Sequence, residues 1–502
     1  MAGVGPPLLL AHQSPRSSAE YESLMERWSA HFTCIAPDTP GYGQSSALPG
    51  EPELADFAEA LIGFMDAVGL GRTGAYGFHS GGIILVAAAS RHPERFTAVA
   101  VGGYAVWTEE ERRVFGAGYL PPFKPLFYGE HLTWVWNRIL EQSWFFPWFD
   151  ARPETRLPRA HAEPDRVDAI VREMLDSGDA YRMGYGAVLR APRGIPGPEA
   201  RTPPVLITAY DGDPLQAHLA RLGKLPAAWS AQAVASPADH EQMSLSFLLE
   251  RLAPQTHRPR QVADEGFLAV AADGFEGLIH WCGARDAGRV VLHPPGESVE
   301  LLDPTGALLI DLPGHGLSDA FAGEADVCVW ARVVASAVRS LSTVPAPIIV
   351  GRGISALLAL AVSKELSAPV KGEEAHIPLE QASGEWLEEL PGLTPDRFGS
   401  YLTEAWSVVR ASRMFWPWFR ADARHAIPFT VGELEPHHLA LRHRALIRAR
   451  SFRPLMRALL QADREALWAR APRVTAWHVA DWARGHVEMW QPSLTAGERR
   501  EN

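Results

Sequence analysis

One segment of the chain occurs twice, and this repeat constrains the fold more than any other feature. FFPWFDARPETRLP at 145–158 recurs as FWPWFRADARHAIP at 415–428. Three further landmarks recur in the same order, at 8–15 and 290–297, at 34–46 and 308–320, and at 75–89 and 349–363. The offset between paired landmarks shortens only from about 281 to 270 residues, as small loop deletions in a duplicated domain would produce. We therefore predict two related domains, 1–256 and 257–502, separated by the polar, proline-containing stretch at 254–265.

Short apolar runs alternate with helical segments in both halves. Runs such as PPLLLAH, FTCIAPD and TAVAVGG are typical of buried strands. Their alternation with helices predicts the α/β class, each domain being a mostly parallel sheet with helices on both faces. Tryptophan-rich helical segments at about 105–200 and about 370–470 predict a helical cap inserted into each domain. The first domain begins directly at a central strand, whereas the second has two extra candidate strands within 266–283.

The third strand of the first half runs into the turn GFHSGG at 77–82, which is followed by a helix. A sharp turn of this kind needs small flanking residues because the backbone there is tight and strained. Both flanking glycines place His79 at the apex of the turn. Ser80 comes one position later and is expected to point into the helix.

This strand, turn and helix resemble the nucleophile elbow of the α/β-hydrolase superfamily. Asp213 follows a later strand, and His240 lies in a late loop, so the chain order is elbow, acid, histidine, as in that superfamily. The resemblance implies that His79, Asp213 and His240 form a catalytic site. It also implies an oxyanion hole made by the Ser80 N–H and by the N–H of Gln13 or Ser14.

Several roles around this site stay open. Asp211 is the alternative to Asp213 as the acid. Arg16 either binds a substrate carboxylate or is a structural arginine. Ser80 or Ser14 as a displaced nucleophile is a further alternative.

The apex residue bears directly on the chemistry, because His79 replaces the usual Ser, Cys or Asp. An imidazole there is either a base, nucleophile or substrate-orienting donor, or a structural substitute in an inactive site. We predict a hydrolase or lyase acting on a small, hydrophobic, carbonyl-containing substrate by general-base catalysis. In that hypothesis His240, oriented by Asp213, is the base, and His79 positions the substrate or shares the proton. The alternative is a catalytically inactive pseudo-hydrolase that binds a ligand or acts as a scaffold.

The second half has GRGIS at 351–355 where the first half has its elbow, so glycine stands at the apex. Without a side chain there, this half is expected to be catalytically silent and to pack against the first as a pseudo-dimer partner. Its late landmarks have two interpretations. Either Asp481 is the counterpart of Asp213, or His486 is the counterpart of His240.

Composition excludes several partner classes. A net charge of −12 argues against nucleic acid or an anionic membrane as partner. Three cysteines without a CxxC pair, together with an N-terminus unlike a signal peptide, indicate a cytoplasmic protein. The first half has no GxGxxG after a strand, and the chain has no Walker A loop or HExxH, so no cofactor or metal is expected. The expected partner is a small-molecule substrate, and homo-oligomerisation is left open.

Overall fold

The computed structural model describes residues 1–192, 194–252, 264–483 and 488–492, and the chain divides into two compact units. The N-terminal unit comprises Met1–Lys124, His131–Arg260 and Pro395–Gly399. The C-terminal unit comprises Pro125–Glu130, Gln261–Thr394 and Ser400–Asn502. Most of the boundary stretch at 254–265 lies outside the described residues.

In its described residues the N-terminal unit contains six strands: β1 Pro7–Ala11, β2 Thr33–Ile35, β3 Thr73–Phe78, β4 Phe96–Gly102, β5 Val205–Tyr210 and β6 Trp229–Val234. They form one sheet in the order β2-β1-β3-β4-β5-β6, in which every neighbouring pair is parallel. β1 and β4 are buried along their whole length, as expected for central strands of a sheet covered on both faces. The first strand of this sheet along the chain, β1, is therefore the strand that the sequence predicts as its first.

Along residues 1–192 and 194–252 the structure has eight α-helices: α1 Glu22–Trp28, α2 Leu54–Ala67, α3 Ser80–Arg91, α4 Glu109–Gly118, α5 Glu130–Gln142, α6 Pro164–Ser177, α7 Tyr181–Arg190 and α8 Pro237–Leu249. Helices α4 to α7 lie between β4 and β5 in the chain, so the predicted helical insertion in the first half is confirmed. The insertion starts at a capping box, in which Thr108 and Glu111 each accept a hydrogen bond from the other's backbone N–H.

The structure describes nine strands in the C-terminal unit: β7 Glu265–Ala272, β8 Phe275–Gly283, β9 Arg289–Leu292, β10 Leu308–Ile310, β11 Ile348–Arg352, β12 Val370–Ala375, β13 Ile377–Pro378, β14 Val474–Val479 and β15 Met489–Trp490. Seven of them form a sheet in the order β14-β12-β11-β9-β10-β8-β7. The pairs β7–β8 and β8–β10 are antiparallel and the others are parallel, so this sheet is mixed. β7 and β8 are the two extra strands predicted within 266–283.

Seven α-helices lie within residues 264–483: α9 Val327–Leu341, α10 Ala356–Leu366, α11 Ser383–Glu389, α12 Ser400–Ala411, α13 Pro436–Arg448, α14 Phe452–Leu460 and α15 Arg464–Ala469. Helices α11 to α15 come between β12 and β14, within the range where the sequence predicts a second cap. Among the helices that the structure describes, none is both long and apolar enough to cross a membrane.

Both units fix the loops at the carboxyl ends of their first parallel strands with the same hydrogen bonds. In the N-terminal unit the Thr39 N–H donates to His12 Nε2 (2.9 Å), and the His12 Nδ1–H donates to the carbonyl of Gln13 (2.9 Å). In the C-terminal unit the corresponding bonds, at 3.0 Å and 2.8 Å, are made by Leu312, His293 and Pro294. A second set of hydrogen bonds repeats as well, in which one aspartate accepts from the backbone of two separate segments. Asp38 accepts from the backbone N–H groups of Ser18 and Gln44, and Asp311 accepts from those of Val299 and Leu317.

Candidate active site

His79 occupies the apex of the turn between β3 and α3. Its backbone angles, φ 46° and ψ −116°, lie in a region that residues with a Cβ rarely adopt. β3 runs between β1 and β4, with Gly77 opposite both Ala11 and Val101. The strained turn is therefore held at the middle of the sheet, with its apex residue at the carboxyl ends of the strands.

The His79 imidazole pairs with the Asp213 carboxylate. Nε2 lies 3.2 Å from Oδ1 and 3.3 Å from Oδ2. The Asp213 side chain is fully buried, whereas 22% of the His79 side chain is exposed. Burial raises the pKa of the Asp213 carboxyl. The nearby His79 and the N–H of Leu215 outweigh that effect, and the pKa is lowered overall. An ionised Asp213 accepts the Nε2–H of His79, which leaves Nδ1 of the neutral ring with its lone pair.

Two neighbours fix the orientation of this ring. Phe78 stacks on it with 4.1 Å between ring centroids and 20° between planes. Gly103 abuts the Nε2–Cδ2 edge, since a Cβ at that residue would lie 2.4 Å from Cδ2. No hydrogen bond of His79 Nδ1 is found among the residues that the structure describes.

His240 makes no hydrogen bond to either residue of this pair within the described part of the chain, although the charges of both residues act on its pKa. It sits in the first turn of α8, where Nε2 is 2.8 Å from the Tyr76 hydroxyl and Nδ1 is 2.5 Å from Thr208 Oγ1. Phe78 packs against both histidine rings, with 5.6 Å between its centroid and that of His240. The structure thus brings His79 and Asp213 together, and both ring nitrogens of His240 are bonded to the sheet.

His218 is a site neighbour that the sequence analysis missed. It is buried, accepts the Val106 N–H at Nδ1 (3.0 Å) and packs edge-on against Trp107. Burial, followed by the charge of Arg221, lowers the pKa of His218 to about 4, and the charges of Asp213 and His79 make smaller contributions. The sequence signal was weak, because a histidine in a short 3-10 turn has no characteristic spacing.

Acidification is expected to destabilise the N-terminal unit through its buried histidines. Burial lowers the pKa of His240 from 6.5 to about 4, so between these values the unfolded chain binds a proton that the native site does not. Stability is therefore fully present above pH 6.5 and falls as the pH drops toward 4, by about 3 kcal/mol for this one group. Hydrogen exchange of β5 and α8 measured across this pH range tests the expectation.

The matched variants are His240→Gln and His31→Gln, the second replacing an exposed histidine of the same unit. His240→Gln should flatten the pH dependence in part, because His218 shifts in the same direction. His31→Gln should leave it unchanged. An identical slope in both variants would contradict the assignment.

The backbone donors expected for an oxyanion hole are largely engaged. The Ser14 N–H donates to Ser80 Oγ (2.7 Å), and the Gln13 N–H donates to a carboxylate oxygen of Glu20 (3.0 Å). The Ser80 N–H stands at the first position of α3, where helical N–H groups have no partner within the helix. Of the donors expected from the sequence, the Ser80 N–H is thus the one oriented by a helix start.

The remaining candidates have structural partners. The Arg16 guanidinium donates twice to one carboxylate oxygen of Glu173, at 2.8 and 3.0 Å. Asp211 is exposed and accepts from the Gln216 side chain (2.6 Å). The hydroxyl groups of Ser14 and Ser80 bond to each other (3.2 Å). No histidine of the described chain bonds to either hydroxyl.

In the C-terminal unit, Asp481 follows β14, the strand that stands in its sheet where β5 stands in the N-terminal sheet. This position favours the interpretation of Asp481 as the counterpart of Asp213. His486 lies outside the described residues. Within the described part of the chain, no group of three or more His, Cys, Asp or Glu side chains is arranged to hold a metal ion.

Residues 6–242 match the family of the alpha/beta hydrolase fold. The N-terminal unit has this fold. Haloalkane dehalogenase 2 of Mycobacterium bovis is 35% identical over 106 residues, which cover 21% of this chain and 37% of that protein. The (E)-2-((N-methylformamido)methylene)succinate hydrolase of Acinetobacter baylyi is 30% identical over 99 residues, or 20% of this chain and 38% of that protein. The chain thus matches less than two fifths of the length of these two relatives.

Among solved structures, the enol-lactonase from Burkholderia xenovorans LB400 is 20% identical, with a TM-score of 0.36. That match covers 49% of this chain and 89% of the lactonase. Similarity at this level concerns the fold alone.

Proposed function

We propose that the N-terminal unit is a hydrolase or lyase that acts on a small, hydrophobic, carbonyl-containing substrate by general-base catalysis, without a serine nucleophile. The observation that carries this proposal is the His79–Asp213 pair at the apex of the elbow. A strained apex residue with a buried carboxylate partner and one free ring nitrogen is arranged as a base, since Asp213 stabilises the imidazolium that forms. The base in this proposal is His79 rather than His240, because His79 is the histidine that Asp213 contacts.

For hydrolysis, the steps are those of a single-displacement acyl transfer to water. His79 Nδ1 takes a proton from water as the water oxygen bonds to the carbonyl carbon, and the carbonyl electron pair moves onto oxygen. The Ser80 N–H and the positive end of α3 stabilise the resulting oxyanion. When the tetrahedral intermediate collapses, the bond to the leaving group breaks and the imidazolium proton passes to that group. In the lyase variant, the same nitrogen removes a substrate proton instead.

An aromatic cluster supports the hydrophobic substrate class. Trp107 packs on His218 and contacts Phe115 at 5.0 Å between centroids. Phe146 and Tyr119 extend the cluster into the cap. The names of the two relatives, a dehalogenase and a hydrolase, favour hydrolysis over the lyase variant.

Replacing His79 by glutamine is expected to reduce kcat/KM at least about a hundredfold, because the base is removed while a polar side chain remains. Asp213→Asn should cause a comparable loss by withdrawing the charge that stabilises the imidazolium. Turnover is measured on p-nitrophenyl acetate and butyrate, and on benzoylacetone for C–C bond cleavage. His31→Gln is the matched control and should keep wild-type activity.

Two results would overturn this assignment. If Tyr76→Phe, which removes only a hydrogen bond to His240, abolishes turnover while His79→Gln does not, the base is His240. If a fluorophosphonate probe labels Ser14 or Ser80 in proportion to lost activity, the enzyme works through an acyl-serine. We expect neither result, and we expect no burst phase.

The engaged donors favour a second candidate, a pseudo-hydrolase that binds carbonyl compounds without turning them over. With the Ser14 N–H donating to Ser80 Oγ and the Gln13 N–H donating to Glu20, an oxyanion would have fewer donors than in a typical hole. Calorimetric binding of an ester to the wild-type protein, without product formation over hours, would favour this candidate.

We also propose that the two units arose by duplication of one domain. The repeated sequence landmarks and the matching hydrogen bonds of His12 with His293, and of Asp38 with Asp311, support a common origin. In this proposal the first unit kept an elbow side chain with an acid beside it, and the second lost the elbow side chain.

A further inference from the structure

The C-terminal unit encloses a cavity of about 710 Å³ beside its own elbow. A volume of this size is sufficient for a small organic molecule. Four tryptophans contribute to its wall: Trp386, Trp416, Trp418 and Trp482. Trp416 packs between two of the others, with 5.6 Å between its ring centroid and that of Trp386 and 5.9 Å to that of Trp482. The tryptophans therefore give the wall an aromatic part, in which the rings of Trp386 and Trp482 are tilted by 53° and 51° from that of Trp416.

The elbow opens onto this cavity without a side chain. Gly353 stands at the apex with φ 56°, and a Cβ there would lie 3.0 Å from Cε1 of His376. The imidazole of His376 closes the apex from the end of β12, and its Nδ1–H donates to the Glu374 carbonyl (2.6 Å). The position that carries the reactive side chain in a hydrolase therefore has no side chain here, and the His376 ring covers it.

Two of the arginines in the wall are already paired. The Arg352 guanidinium donates to Glu374 (2.6 Å), and the Arg442 guanidinium donates to Glu297 (2.6 Å). In each pair the glutamate neutralises the charge of the arginine, so neither arginine needs a ligand.

Arg413 differs from both. Its Nε is buried and has no hydrogen-bond partner, and no ion pair of Arg413 is found within the described ranges. Burial, reinforced by repulsion from Arg442, lowers the pKa of Arg413, although Glu297, Glu433 and Glu374, which line the same cavity, act in the opposite direction. Arg413 is only partly shielded from solvent, and its Nε lacks a hydrogen-bond partner within the described residues, so a bound anion could supply the partner that this cation lacks.

The repeated motif shows that this arginine is peculiar to the C-terminal unit. Arg413 stands two residues before FWPWF, and Ser143 stands two residues before FFPWF in the N-terminal unit. The Ser143 hydroxyl donates to the carbonyl groups of Leu140 and His161. Serine in that place is satisfied within the fold, whereas arginine is not.

We propose that this cavity is a second ligand-binding site, which takes a small organic carboxylate with a flat, apolar body. The carboxylate binds the Arg413 guanidinium through two parallel hydrogen bonds, and the body lies against the tryptophan wall. The site is independent of the N-terminal active site and does not require its chemistry.

Phenylacetate serves as the probe, and phenylacetamide is its neutral isostere. Because tryptophans line the cavity, binding is followed by quenching of intrinsic fluorescence and confirmed by calorimetry on the full chain. We expect phenylacetate to bind the wild type at least about tenfold more tightly than the amide. Arg413→Gln should weaken phenylacetate binding about tenfold or more, and Arg413→Lys should weaken it less, since it keeps the charge but not the planar fork.

Arg424→Gln is the matched control, because Arg424 is exposed in the same unit and lies outside the cavity wall. It should keep wild-type affinity, as should His79→Gln, which separates this site from the N-terminal one. Without ligand, Arg413→Gln should melt at or above the temperature of Arg424→Gln, because a partly buried charge without a hydrogen-bonded partner in the described residues is removed. The proposal is overturned if Arg413→Gln unfolds the unit, if it binds phenylacetate normally, or if the acid and amide bind alike.

Discussion

Alanine in place of Gly81 is expected to destabilise the N-terminal unit by more than about 4 kcal/mol, at the exceptional end of single substitutions. Gly81 is the second residue of α3, and a Cβ there would lie 2.0 Å from the Ala11 carbonyl oxygen and 2.5 Å from that of His12. Both contacts are with backbone at the end of β1, so no side-chain rotation can relieve them. The helix would have to leave the sheet, and the elbow would move with it.

Gly63→Ala is the matched control for this prediction. Gly63 lies on the exposed face of α2, and a Cβ there would meet no atom within 4 Å. Removing a flexible residue from a helix interior should stabilise the unit by about 0.5 to 1 kcal/mol. Hydrogen exchange of α3 and β1 reports the unit on its own, since a chain of two units need not unfold in one step. A loss below about 1 kcal/mol for Gly81→Ala would contradict the packing described here.

The parts of the fold that the sequence predicted well are those with short-range signals. The apex of the elbow is one, because two glycines in GFHSGG leave a single register, and His79 is found there with a positive φ. The extra strands at 266–283 are another, since their apolar residues form two separate runs. The mixed character of the second sheet was not predicted, because strand direction depends on pairing between distant segments.

The sequence contains a signal for a helix start just before His240, although the sequence analysis placed this residue in a loop. The sequence ASPADH contains Ser236 as an N-cap, Pro237 at the first helical position and Asp239 two residues later. The Ser236 hydroxyl accepts the Asp239 N–H (3.1 Å), so α8 starts there. A histidine in the first turn of a helix has its direction set by the helix, and here the ring turns to Thr208 instead of Asp213.

The pairing of His79 with Asp213 and the lack of a partner for Arg413 could not be predicted from the sequence. Each depends on distances between side chains from segments far apart in the chain. The sequence around Arg413 would have suggested a surface position, because an arginine beside aromatic residues is typically a surface residue that covers them. The cavity became visible only in the folded unit.

Alanine in place of Gly103 is expected to abolish the proposed activity while leaving the elbow sequence intact. Gly103 has φ 60°, and a Cβ there would lie 2.4 Å from His79 Cδ2, 2.6 Å from its Nε2 and 2.9 Å from Asp213 Oδ2. The ring must swing away from the carboxylate, so kcat/KM should fall about as far as in His79→Gln, at least about a hundredfold. Left-handed backbone at alanine adds a stability cost of about 1 kcal/mol.

A double-mutant cycle separates the clash from the backbone strain. In a His79→Gly background the ring is gone, so the cost of Gly103→Ala should fall to the backbone strain and the remaining 2.9 Å approach to Asp213 Oδ2, and the two substitutions should couple by about 1 to 3 kcal/mol. The C-terminal unit already has this combination: glycine stands at its apex, and Glu374, at the position that register assigns to Gly103, has φ 49°. Unfolding free energies of the four proteins, taken from exchange of β3 and α3, measure the coupling. Additive effects would mean that Gly103 is required for its backbone alone. A coupling of the expected size would mean that glycine at 103 is there to leave room for the imidazole at the apex.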